Sequence, residues 1–119
     1  MIKGFENETS ELTDYEKEQL LPLVVEGLRV RIGKDKAITN ARMVMALQAR
    51  GLKITPPRLR KIIHEIRIKG DVPFLIATSR GYYVSHDRAE IRDYVESLHQ
   101  RAESILSIAK QLEFQSQAL

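Results

Sequence analysis

The stretch whose residue types could do the most chemistry is TPPRLRKIIHEIRIKG, Thr55 to Gly70, where most positions that are not apolar carry Arg, Lys or His. At the 100° per residue of an α-helix, four apolar residues fall within one narrow sector and are expected to face a core: Leu59, Ile62, Ile63 and Ile66. The opposite side carries Pro57, Arg60, Lys61, His64 and Ile68, with Arg58 and Arg67 at its margins. Such a helix can present a row of hydrogen-bond donors to an acidic partner rich in acceptors.

The acidic partner that best fits a cationic helix is double-stranded DNA, because the major groove is wide enough to accept an α-helix. We expect Arg60, Lys61 and His64 to contact base edges. Arg58 and Arg67, at the margins, are expected to contact phosphates on either side of the groove. The alternative is an ordinary solvated surface.

Further phosphate contacts are expected from residues outside this helix. Pro56 and Pro57 remove two backbone N–H groups from the helix start, so side chains must supply the contacts that free amides often make there. Arg50 and Lys53, which precede the helix, and Arg80, in a later turn, are the candidates.

Charge is distributed unevenly along the 119 residues, and its pattern agrees with this expectation. Residues 1–20 carry a formal charge of −4, residues 21–86 carry +9 and residues 87–119 carry −2. A basic middle between acidic flanks predicts a surface for a polyanion on one region of the chain.

The composition argues against other classes of function. The chain has no cysteine, which excludes disulfides, thiolate metal sites and a cysteine nucleophile. It has no signal-like apolar run and no apolar stretch of membrane-spanning length, so we expect a soluble cytoplasmic protein. His64-Glu65 begins a zinc-protease-like pattern, but Ile68 stands where the second ligand belongs. We therefore expect no enzyme activity, metal, cofactor, small-molecule ligand or membrane association.

The elements that would position the basic helix can be predicted from caps and periodicity. Thr13 and Glu16 form a capping box that starts a first helix, which Pro22 should bend or delay. Thr39 or Asn40 caps a second helix, with Met43, Val44 and Leu47 facing inward, which ends at Gly51. Thr55 then caps the basic helix, so the two helices are expected to be joined by a turn of three or four residues, as in a helix-turn-helix.

A change to a period of two follows the basic helix. The run Val72–Ser79 favours a strand, Arg80-Gly81 a tight turn and Tyr82–Ser85 a second strand, with Ala37-Ile38 available as a third short strand. The segment KIIHEIRIKGDVPFLIATSRGYYV resembles the recognition helix and wing of biotin-repressor-type DNA-binding domains, and this resemblance covers roughly Thr13 to Ser85. It implies a winged helix-turn-helix. The whole chain is also similar to short phage and prophage proteins of unassigned function, which implies a setting but no mechanism.

A long helix is predicted from Asp87 to Gln115. Ile91, Leu98, Ile105 and Leu112 recur every seven residues, although Arg101 interrupts the seam. A helix about 43 Å long exceeds what a domain of this size can cover, so we expect a second copy of the chain to pair with it. The alternative is that its first half packs on the preceding domain and its second half frays.

Together these patterns predict a mainly α protein with a small β-hairpin wing. They divide the chain into an acidic segment (1–12), a winged helix-turn-helix domain (13–86) and a dimerisation helix (87–119). Two functions remain open. One is a dimeric DNA-binding regulator of transcription or replication from a phage or mobile element. The other is a protein-docking module, which an apolar Ile68 on the polar face would suit. RNA remains possible, although no stacking aromatics interleave with the basic residues.

Overall fold

A computed structural model describes residues 10–119; the first nine residues of the predicted acidic segment lie outside that range. The chain divides after His86 into unit 1, which ends there, and unit 2, Asp87–Leu119. Unit 1 contains a π-helical turn, Glu16–Leu20, that leads into α1, Leu21–Arg29, and then a short 3-10 turn. It continues with the helices α2, Asn40–Ala49, and α3, Pro56–Lys69, and with the strands β1, Leu75–Thr78, and β2, Gly81–Val84. Unit 2 contains one helix, α4, Arg88–Ser116. The prediction of a mainly helical chain with a small hairpin and a long C-terminal helix is confirmed.

The first helix begins at the predicted capping box. The Glu16 amide donates to the Thr13 hydroxyl over 3.2 Å, and the Thr13 amide donates to the Glu16 carboxylate over 2.8 Å. Pro22, which lacks an N–H, does not stop the helix. The turn before it widens instead, and the Leu21 amide donates to the carbonyl of Glu16, five residues earlier. A π-helical turn is thus how the chain accommodates the proline.

The second helix, α2, spans Asn40–Ala49, and its N-cap is Thr39, whose hydroxyl accepts from the Arg42 amide over 3.2 Å. It ends in a turn that Gly51 permits by adopting a φ of +82°. The third helix, α3, spans Pro56–Lys69, with Thr55 as its N-cap residue. Residues 50–55 therefore join the two helices, and the predicted turn of three or four residues was too short.

The hairpin consists of β1, Leu75–Thr78, and β2, Gly81–Val84, paired antiparallel with Thr78 opposite Gly81. The first strand starts three residues later than the predicted run. Phe74 has a φ of +64°, outside the range of a strand, so extended pairing begins only after it. On its other edge β2 is bonded to Ile38, because Ile38 and Tyr82 exchange both backbone hydrogen bonds, at 2.8 and 3.1 Å.

The core of unit 1 is aliphatic and is built by all three of its longer helices and the hairpin. The four residues predicted for the inner face of α3 are all buried, as are those predicted for α2. Leu20, Val24 and Leu28 supply the face of the first helix, and Val84 supplies that of β2. The basic helix is therefore fixed in unit 1 by one face, and its other face is available for binding.

Unit 2 is a single α-helix, α4, Arg88–Ser116, whose N-cap Asp87 accepts from the amides of Ala89 and Glu90. Within residues 10–119, none of the 29 residues of α4 is buried. Ile105 and Leu112 of the predicted seam are 66% and 59% exposed, and Ile91 and Leu98 are half-buried. Among the described helices none is both long and apolar enough to cross a bilayer.

Candidate functional site

A groove of about 730 Å³ runs along the outer face of α3 and is the candidate site. One wall is α3, which contributes Arg60, Lys61, His64 and Arg67. The other walls are the start of α2 and the hairpin. These walls contribute Thr39, Asn40, Ala77, Thr78, Ser79, Gly81 and Tyr82. Four of the eight residues predicted to contact DNA are therefore brought together.

The three walls are joined by a relay of hydrogen bonds centred on Asn40. The Tyr82 hydroxyl donates to the Asn40 amide oxygen over 3.0 Å, and the Asn40 amide nitrogen donates to the carbonyl of Pro56 over 3.1 Å. This one side chain therefore connects the hairpin, the first turn of α2 and the first turn of α3. Because the Tyr82 and Asn40 side chains make these contacts and also line the groove, the shape of the groove depends on these two residues.

A second set of contacts holds the connection between α2 and α3. The Tyr15 hydroxyl donates to the Lys53 carbonyl and accepts from the Lys53 amide, both over 3.0 Å. The side-chain amide of Gln48 donates to the Ile54 carbonyl over 3.1 Å. Because the carbonyls and amides of the connection are occupied in this way, the six-residue segment sets a defined angle between the helices.

The charge of the groove is of one sign. The residues that line it, all within the described chain, include two Arg, one Lys and one His but no carboxylate. Outside the lining, the Glu65 carboxylate lies 3.2 Å from the Lys61 ammonium, one helical turn along α3. This contact lowers the pKa of Glu65. Lys61 therefore contributes less free positive charge to the groove than its position suggests.

Arg58 does not lie where the sequence predicted it. Its guanidinium forms a bidentate pair with the buried Glu16 carboxylate, at 2.7 and 2.8 Å, and also donates to the carbonyls of Ser10 and Glu11, each over 2.9 Å. The prediction of a phosphate contact is corrected because these bonds occupy the donor groups of the side chain. Arg58 instead attaches the start of the first helix to α3.

The remaining predicted contacts lie outside the groove lining. Arg50 borders a smaller cavity of about 150 Å³ between α1 and α2, together with Gly27 and Arg31. Lys53 has an exposed side chain on the α2–α3 connection. Arg80 is exposed at the hairpin turn, where its amide donates to the Thr78 hydroxyl over 3.2 Å. Their role as phosphate contacts stays a prediction.

Sequence reasoning missed the polar walls opposite α3. Asn40 was considered only as an alternative helix cap, and Thr78, Ser79 and Tyr82 only as strand or turn residues. No local signal identifies Asn40, because its hydrogen-bond partners Pro56 and Tyr82 are 16 and 42 residues away in the sequence. Ile68, for which the sequence left open a contact with a protein partner, is 69% exposed.

Comparison of the chain with protein-family models, with curated proteins and with solved structures gives no match. Among residues 10–119, no three or more His, Asp or Glu side chains are grouped so that they could hold a metal ion.

Proposed function

We propose that residues 13–86 form a winged helix-turn-helix unit that binds double-stranded DNA, with α3 in the major groove and the β1–β2 hairpin as the wing. The observation that carries the proposal is the groove along α3, whose described lining holds Arg60, Lys61, His64 and Arg67 without a carboxylate. The order of elements supports it as well: a first helix, a single β-bridge at Ile38, two connected helices and a hairpin.

The roles of the groove residues follow from the chemistry of DNA. Arginine and lysine donate to the O6 and N7 acceptors of guanine, and histidine offers either a donor or an acceptor. Arg60, Lys61 and His64 are the proposed base contacts. Arg67, one turn further along α3, and Arg80, at the turn of the wing, are the proposed phosphate contacts. Thr78 and Ser79, on the hairpin wall of the groove, add hydroxyl groups that can bond phosphate oxygens.

The chain is further proposed to act as a homodimer through α4 and to regulate transcription or replication in the cytoplasm of a host that carries a phage or mobile element. The support for a dimer is the exposed apolar side of a helix that has no buried residue in the described chain. Burial of one Leu or Ile side chain contributes about 1.5 to 3 kcal/mol, so several such residues per helix favour pairing.

The test is a titration of the full chain against labelled random-sequence duplexes at two salt concentrations, followed by selection of bound sequences from a random pool. Binding should weaken steeply as salt rises, because each neutralised phosphate releases about 0.9 of a counterion. Arg60→Ala should lose affinity for the selected sequence. Lys110→Ala, which removes the same charge from unit 2, should keep it. Binding that does not respond to salt, or equal binding by parent and Arg60→Ala on every duplex, would reject the proposal.

A protein-docking module is the second candidate, and the exposure of Ile68 favours it. A large aliphatic side chain that is 69% exposed on the same helix as the cationic residues is more typical of a surface that meets protein than of one that meets phosphate. In that case Ile68→Ala should abolish capture of the partner while the salt titration shows no DNA binding.

A further inference from the structure

We infer that α4 pairs with α4 of a second copy in the antiparallel direction, as a two-stranded coil centred between Glu103 and Ser104. This inference rests on the proposed homodimer and adds its geometry. It is carried by three features of α4: which residues form its apolar seam, how their sizes are distributed and where its charges lie.

The seam of α4 consists of two series that each repeat every seven residues. The large series is Ile91, Leu98, Ile105 and Leu112, and the small series is Val95, Ala102 and Ala109, each four residues after a large one. In a heptad these are the d and a positions, respectively. The other possible partner series, three residues after each large residue, contains Arg101 and Gln115, so it would bury a charge in the seam. With the first assignment Arg101 moves to the flank of the seam, and the apparent interruption disappears.

The sizes of the seam residues favour one direction. In a parallel pair each residue meets its own copy, so layers of two alanines would alternate with layers of two leucines or isoleucines, and the helices could not keep one separation. In an antiparallel pair each a residue meets a d residue. Val95 then opposes Leu112, Leu98 opposes Ala109, and Ala102 opposes Ile105 of the second copy. Each of these layers combines one small or medium residue with one large residue, so it can be filled at a uniform distance.

The flanking charges favour the same direction and the same register. When Ala102 opposes Ile105 of the second copy, Arg92 lies beside Glu113 of that copy, and symmetry repeats the pair at the other end. A parallel pair has no such match: its flanking contacts would join Tyr94 to His99, Arg101 to Leu106 and Ile108 to Glu113. Exposed pairs of this type have small individual energies, but they discriminate between orientations because the alternative offers none.

The direction determines where unit 1 is connected to the coil. Asp87, where unit 2 begins, lies about 16 residues from the centre of the coil, so the two Asp87 residues would be about 50 Å apart at about 1.5 Å per residue. A parallel coil would instead bring them to the same end. The two copies of unit 1 would therefore be connected to the coil at opposite ends.

The first test uses the absence of cysteine from the chain, which makes an introduced cysteine unique. Val95→Cys and Leu112→Cys, one of them carrying a tag that separates them by size, are mixed at a concentration where the parent is dimeric and equilibrated in a glutathione buffer. The mixed disulfide should dominate. Two copies of Cys at position 95 would be about 25 Å apart, beyond the Cα separation of about 7 Å that a disulfide allows. A dominant disulfide between two copies of the Val95→Cys chain would overturn the inference.

The second test does not alter the seam. Arg92→Glu alone should weaken self-association, measured by sedimentation, by up to about tenfold because it places two carboxylates side by side at both ends. Adding Glu113→Arg should restore the parent's dissociation constant to within about twofold. In a parallel coil these two positions are about 31 Å apart, so a failure to restore it would also overturn the inference.

The disulfide and sedimentation tests of the coil can fail independently of the test of DNA binding. A chain that sediments as a monomer or as four copies, or that forms no mixed disulfide, rejects the antiparallel pair, whereas the salt titration of the full chain on DNA is judged on its own. Conversely, a chain that pairs antiparallel but ignores DNA keeps this inference and rejects the proposed function.

Discussion

Arg58 and Arg60 stand two residues apart on α3, yet their surroundings are opposite. Arg58 is held in a bidentate pair by the buried Glu16 and by two backbone carbonyls, and its side chain is only 16% exposed. Arg60 lies on the groove side, where the lining has no carboxylate among the described residues. A step of 200° around the helix axis separates a residue that pairs within the fold from one that lines the groove. Cationic residues on one helix can therefore have quite different functions.

The largest effect on stability is expected when the ion pair of Arg58 with Glu16 is removed. Arg58→Ala leaves the Glu16 carboxylate buried without a charge partner, so the free energy of unfolding should fall by about 3 to 5 kcal/mol. Urea denaturation followed by circular dichroism measures it. Arg60→Ala is the matched control and should stay within about 0.5 kcal/mol of the parent. If the two variants are equally stable, Arg58 does not stabilise the fold more than Arg60 does.

The contrast also shows what could be predicted from the sequence and what could not. The inner face of α3, a cap at Thr39 or Asn40 and the capping box at Thr13 depend on residues a few positions apart, and all three were predicted. The pairing of Arg58 with Glu16 joins residues 42 positions apart, so no local period contains it. The same is true of the Tyr82–Asn40–Pro56 relay, which exists only once the hairpin lies against α2.

A smaller loss of stability is expected at the wall of the groove, from Gly81→Ala. Gly81 has a φ of +119°, and a Cβ there would lie 2.3 Å from the Ile38 carbonyl oxygen. The hairpin would therefore have to move away from Ile38. We expect a cost of more than about 2 kcal/mol, together with weaker DNA binding because Thr78 and Tyr82 would move.

Gly27→Ala is the control for this substitution. A Cβ at Gly27 meets no atom within 4 Å, and alanine is the better helix former. This variant should therefore be as stable as the parent or gain up to about 1 kcal/mol. If Gly81→Ala behaves like Gly27→Ala in thermal unfolding, the close approach of the hairpin to Ile38 is wrong.

Variants of the proposed DNA contacts should fall into two groups that change DNA binding in different ways. Arg60→Ala and His64→Ala should each cost about 1 to 3 kcal/mol on the selected duplex and much less on random DNA, because they remove base contacts. Arg67→Ala and Arg80→Ala should weaken binding to all sequences alike and reduce the salt slope by about one each. Titrations on the two DNAs separate these patterns. Uniform losses from all four variants would mean that α3 does not read bases.

Acid should weaken the ion pair between Glu16 and Arg58. The resulting loss of stability should be smaller than the loss caused by Arg58→Ala. The paired guanidinium holds the pKa of Glu16 below its ordinary value. A carboxyl whose folded pKa is lowered stabilises the fold above its unfolded pKa, and this contribution disappears as the pH falls through the folded pKa. The stability of the parent should therefore fall with acid from about pH 4.5 downward, more steeply than that of Arg58→Ala. Parallel pH profiles of the two would contradict the role of the pair.

The smallest expected effect concerns Lys61, which lies in the groove but is partly neutralised. Its ammonium must leave the Glu65 carboxylate, 3.2 Å away, before it can contact DNA, so part of its attraction for DNA is lost. Glu65→Gln removes that competitor. Folding should change little, because a pair one turn apart on an exposed helix surface is screened by solvent. DNA affinity should rise at low salt, and the gain should shrink as salt screens the charges.

Adding Lys61→Ala should cancel most of the gain, because Glu65 acts on the DNA mainly through that lysine. If the gain survives in the double variant, Glu65 repels the phosphates directly, and Lys61 belongs with the surface residues rather than with the groove.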